Sequence, residues 1–149
     1  MKKIGEYTCR GSIRTDGAIN RIILDDGQFD TAYRVTGFQI VPHTVGSTTA
    51  QLYTGKLMTD DDATTGENWN YDNNAEIAWS MIGFDANASG TPNPFSVIDP
   101  DNLVVQDLFV ISYDGVGSDV KVNYIIYMEK YDITDSQGAL AMVRNRSQA

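Results

Sequence analysis

Residues 120–129 alternate without a break. Val120, Val122, Tyr124, Ile126 and Met128 fall on one parity, and Lys121, Asn123, Ile125, Tyr127 and Glu129 on the other. A strand with one buried face requires this pattern, because successive side chains point to opposite sides of a sheet. The period then changes. Thr134-Asp135-Ser136-Gln137 sets a hydroxyl residue three positions ahead of Gln, the spacing with which side chains cap the free amides of a helix start. Ala139, Leu140, Ala141, Met142 and Val143 follow as helix formers, and Arg144 and Arg146 sit where a helix dipole prefers cations. A long strand feeding one short C-terminal helix predicts a β-rich domain with a helical appendage.

The rest of the chain is patterned for strands. Residues 6–14, 18–24, 32–41, 49–59, 75–84 and 103–113 read as strands, separated by Asp-Gly, Gly-Ser and Asp-Asn-Asn turn signals. In 32–41, Tyr33 and Val35 share one parity while Phe38 and Ile40 share the other, which predicts a bulge at Gly37. Residues 103–113 are apolar on both parities, as a central strand buried on both faces would be. These features predict an all-β fold, an antiparallel two-sheet β-sandwich of jelly-roll type, with a partly closed barrel as competitor. One domain spans 1–149, with 1–5 as an N-terminal arm and 132–149 as the helical tail. The stretches 59–74 and 85–94 are long for hairpin loops and are candidate functional loops.

Composition narrows the function. A chain of 149 residues with 42% hydrophobic content can bury a core of its own. Nothing after Lys2-Lys3 resembles the apolar core of a secretion signal, and no run nears the roughly 18 apolar residues of a membrane span. Cys9 is the one cysteine, so neither an internal disulfide nor a thiolate metal cluster is expected. Synthesis in a reducing cytoplasm fits. The net charge of −9 is concentrated in the middle: residues 35–119 hold twelve acidic residues against Lys56 alone. That field has the wrong sign for nucleic acid.

Catalytic constellations are weak. His43 is the sole histidine and follows Pro42 near a strand end, where a loop role is expected. No serine stands in a Gly-x-Ser-x-Gly elbow. Glu6, Glu67, Glu76 and Glu129 are the glutamates among sixteen aspartates, and nothing in the spacing pairs two of them as a glycosidase requires. Asp60-Asp61-Asp62 and Asp99-Pro100-Asp101-Asn102 offer oxygen ligands but lack the spaced pattern of a calcium loop. Gly115-Val116-Gly117-Ser118 reads as a hairpin turn. We therefore expect no catalytic residue, metal or cofactor. Trp69 and Tyr71, set among Asn68, Asn70 and Asp72, are candidates for binding on an exposed loop, whereas Trp79 reads as core.

The segment 123–149 (NYIIYMEKYDITDSQGALAMVRNRSQA), preceded by 96–111 (SVIDPDNLVVQDLFVI), resembles the small decoration, or cement, proteins on the heads of marine tailed bacteriophages. The resemblance covers the C-terminal third and the general strand layout, and rests on texture, not on a diagnostic motif. It implies a jelly-roll virion protein on the capsid exterior, assembled as a homotrimer over junctions of the major capsid protein and reinforcing the icosahedral shell. It brings no catalytic residues. Lys2, Lys3 and Ile4 in the arm, and Leu140, Val143, Arg144 and Arg146 in the tail, are the candidate partner contacts, with the arginines able to meet carboxylates. Leu140 and Val143 have a simpler use, plugging one open end of the sandwich. Three rivals stand beside this expectation: a carbohydrate- or receptor-binding module using Trp69, Tyr71 and Trp79, a single jelly-roll major capsid subunit, and a small hydrolase using Glu67 or Glu76.

Overall fold

The alternating segment is β8, Lys121–Asp132, and it lies in the middle of a three-stranded sheet. Its flanks are β1, Lys2–Arg14, and β3, Thr31–Pro42, in the order β1-β8-β3. A second sheet contains β2 (Asn20–Ile22), β4 (Gln51–Met58), β5 (Glu76–Phe84), β6 (Asn93–Ile98) and β7 (Leu108–Asp114). Its order is β2-β7-β4-β5-β6. Every ladder in both sheets is antiparallel. The computed structural model describes residues 2–24, 30–44, 51–61, 68–84, 93–115 and 119–133, and contains no helix among them. The helix predicted from Thr134 onward lies outside the described residues.

The core is the layer between the sheets. One sheet contributes Ile13, Val35, Phe38, Ile40, Val122, Ile126 and Met128, the other Tyr53, Leu57, Ile77, Ala78, Ile82, Leu108 and Val110. Val122, Ile126 and Met128 are the even-parity residues that the alternation of β8 marks for burial. Gly55 sets how closely the layers approach. A Cβ there would stand 2.7 Å from Ile40 Cγ1, so a side chain at this point of β4 would push the opposite sheet away. Gly17 has φ of 75°, a conformation open to glycine at little cost, in the turn by which the chain leaves β1 for the second sheet.

Two bulges decide which side chains face inward. In β3 the register shifts between Val35 and Gly37, where the parity switch in the sequence predicts it, and Val35 and Phe38 both reach the core. In β5 the register shifts where Leu57 opposes Ala78 and Met58 opposes Glu76. Ile77 and Ala78 then both join the core although they are consecutive. Glu76 thereby comes to lie with Lys56 and Trp79, which oppose each other on the outer face.

Four sequence expectations change. Residues 2–5 are the first rungs of β1, not a separate arm: Lys2 opposes Asp132 and Lys3 opposes Tyr131. Residues 103–107 do not continue β7. Val104 leaves the sheet and exchanges both backbone hydrogen bonds with Tyr33 of β3. β6 is an added strand, and its Pro94 suits the edge position that it occupies. The Gly115–Ser118 link joins strands of different sheets, so it is not a hairpin.

Candidate functional site

The two outer strands of the three-stranded sheet end very differently. The free side of β3 is closed by other parts of the chain. Tyr33 pairs with Val104 (N–H to carbonyl 2.8 and 2.7 Å in the two directions). Asn102 then imitates a strand: its Oδ1 accepts from the Val35 amide at 2.9 Å and its Nδ2 donates to the Val35 carbonyl at 3.1 Å. Further along, Ser96 Oγ donates to the Phe38 carbonyl, and Ser80 Oγ accepts from the Ile40 amide at 3.1 Å. So the Asp99–Asn102 turn, with ligand chemistry in its sequence, serves this edge through Asn102.

β1 has no such cover among the described residues. It runs for thirteen residues, pairs with β8 along one side, and has no strand on the other. An edge of this length presents a row of backbone donors and acceptors to any extended chain. Lys2, Lys3 and Ile4 stand at its start, all exposed, with Ile4 at 51% and Tyr7 at 50%. Lys3 bridges Glu6 at 2.5 Å and Glu129 at 2.9 Å, and its ammonium is held well above the ordinary lysine range by those two carboxylates. Glu129 is held below the ordinary carboxylate value, first by the hydrogen bond from Lys3. Of the predicted contact residues, the structure brings Lys2, Lys3 and Ile4 together. Leu140, Val143, Arg144 and Arg146 lie outside the described residues.

Trp69 and Tyr71 belong to a second surface, on the outer face of the five-stranded sheet. Trp69 stacks on Phe95 of β6, centroids 6.0 Å apart and planes 19° from parallel. Tyr71 meets Trp79 of β5 edge to face at 4.5 Å. Trp79 is 5% exposed, as a core tryptophan would be, yet it lies on the outer face beneath Tyr71 and not between the sheets. Tyr71 is 61% exposed, Phe95 44% and Val97 37%.

Beneath this surface is a feature that sequence reasoning missed. Lys56 Nζ and Glu76 Oε2 form an ion pair at 3.2 Å with side chains 2% and 0% exposed. Lys56 also donates to the Asn68 carbonyl at 2.7 Å. Glu76 accepts from the Asn70 amide (2.9 Å), Asn70 Nδ2 (2.8 Å) and Trp79 Nε1 (3.0 Å). Burial pushes the Glu76 carboxyl up, but these donors and Lys56 outweigh it and hold the group below its ordinary value. Glu76 is therefore a structural carboxylate whose oxygens are already engaged. The signal for it lies in the sequence: Lys56 is the only Lys or Arg in 35–119 and sits inside a strand.

The remaining candidates are dispersed. His43 lies just beyond β3, beside a shallow depression lined also by Arg10, Gln39, Lys121 and Asn123. Cys9 is half-buried and packs against the core. No group of three or more potential metal ligands converges among the described residues. No model of a known protein family, no curated protein and no solved structure matches this chain.

Proposed function

We propose that this chain is a virion structural protein, a jelly-roll decoration protein that reinforces the head of a tailed bacteriophage from outside. The observation that carries the proposal is the contrast between the two edges of the smaller sheet. Asn102, Ser96, Ser80 and Val104 close the edge at β3, while the outer side of β1 meets no strand among the described residues. Long open edges invite pairing with other chains and are usually blunted, so one that persists beside a capped one suits a protein that assembles by strand addition. The major capsid protein, or a sister subunit in a homotrimer, is the partner proposed for that edge. Seven of the eight strands support the jelly-roll assignment, since a double Greek key pairs 1-8-3-6 in one sheet and 2-7-4-5 in the other. β6 departs from that order by pairing with β5, and meets β3 through the Ser96 hydrogen bond to the Phe38 carbonyl. A terminal helix after residue 133 and a role without catalysis belong to the same proposal.

The test uses the purified full chain. Light scattering should give the mass of a trimer, and the protein should co-sediment with expanded capsids that lack decoration. A monomer that stays in the supernatant overturns the proposal.

A further inference from the structure

We infer that the aromatic shelf on the outer face of β5 and β6 is a binding site for a neutral saccharide, a site that does not depend on how the chain assembles. Trp79 and Phe95 are diagonal neighbours on adjacent strands, since Trp79 opposes Val97 and Phe95 opposes Met81. Such positions lie roughly 7–8 Å apart. Tyr71 stands on the first and Trp69 on the second, so the loop sets two rings side by side on the scale of a short oligosaccharide.

The loop is fixed from below. Lys56 holds the Asn68 carbonyl and Glu76 holds both the backbone and side chain of Asn70, so the residues alternating with Trp69 and Tyr71 are anchored. A buried ion pair adds little net stability compared with apolar residues of similar size, so its contribution here is placement of the loop. A shelf ordered before binding loses less entropy when a ligand arrives.

Its chemistry selects the ligand. A pyranose offers an apolar C–H face to a ring and a rim of hydroxyls that both donate and accept. Asn68, Asn74 and Asp72, all exposed, supply matching groups beside the shelf. Residues 68–84 and 93–103 contain no Lys, Arg or His, and Lys56 is buried under the loop. These segments therefore present no cation to a sulfate, carboxylate or phosphate, and anionic glycans, nucleic acids and acidic lipid surfaces are disfavoured.

The experiment titrates the full chain with neutral glucan, mannan and galactan oligosaccharides and with a sulfated galactan of equal length, following tryptophan fluorescence and binding heat. At least one neutral series should bind saturably at millimolar concentration or below, and the sulfated one more weakly. Trp69→Ala and Tyr71→Ala should each weaken binding about tenfold, the loss expected for one stacked ring. Tyr127→Ala, which removes a comparably exposed ring from the other sheet, should leave affinity unchanged while circular dichroism verifies folding. Failure of every neutral series to bind, preference for the sulfated chain, or indifference to Trp69→Ala overturns the inference. So does loss of self-association or capsid binding in Trp69→Ala when no sugar binds, which would make the shelf a protein contact.

Discussion

Glu76 illustrates how much a single side chain can organise when a bulge turns it outward under a loop. It joins β4, β5 and the loop through Lys56, Trp79 and Asn70. Replacing it by alanine leaves the buried Lys56 ammonium without its carboxylate, and urea unfolding should show a loss of about 3–5 kcal/mol. The double variant Lys56→Met/Glu76→Leu should recover only part of that loss, since it removes the unpaired charge but leaves the Trp79 and Asn70 donors without the acceptor that Glu76 gives them. The same carboxylate sets an acid limit. Its folded-state pKa lies below the ordinary 4.5, so it binds protons more readily when unfolded. Its contribution is fully present above pH 4.5 and is lost as the pH falls through the folded value. Urea midpoints measured between pH 7 and pH 3 should therefore drop in the acid range, and less steeply in Glu76→Gln.

Strands that bury one face announce themselves in sequence, because their pattern is local. β8 is legible from Val122, Ile126 and Met128, and the bulge in β3 from the parity change around Gly37. β6 is not, since the alternation of Phe95-Ser96-Val97 is short, follows Asn-Pro and turns its apolar residues to the exposed face, and its strand conformation depends on β5 alongside. The break at 103–107 is equally hidden: Leu103, Val104 and Val105 are as apolar as β7, but Leu103 and Val105 pack on Ala32 and Ile133. The candidate site is legible only in part. Trp69 and Tyr71 stand out by their polar neighbours, whereas the Lys56–Glu76 pair depends on contacts across twenty residues. Asn102 tests the capped edge. Asn102→Ala leaves the Val35 amide and carbonyl without partners and should cost about 1–3 kcal/mol, read from thermal unfolding. Gly55→Val tests the layer spacing, with an expected cost of about 1–3 kcal/mol from overpacking against Ile40.

Across the whole molecule, charge and edge geometry coincide. Strands β1, β3 and β8 carry Lys2, Lys3, Arg10, Arg14, Arg34, Lys121 and Lys130 against Glu6, Glu129 and Asp132. The described connections elsewhere carry acidic residues, among them Asp60, Asp61, Asp72, Asp99 and Asp101. The open edge thus belongs to the positive sheet of a negative protein, and an acidic partner would be steered toward it. Exposed charges act through solvent, so added salt should weaken assembly at this edge. Hydrogen exchange reads the edge directly. β1 amides that face β8 are bonded in the free chain, while the alternate amides point away from the ladder and meet no strand among the described residues. In the isolated protein every second amide of β1 should exchange fast, and on decorated particles those same amides should become slow. If they stay fast on the particle, the partner binds elsewhere and the open strand is not the docking element.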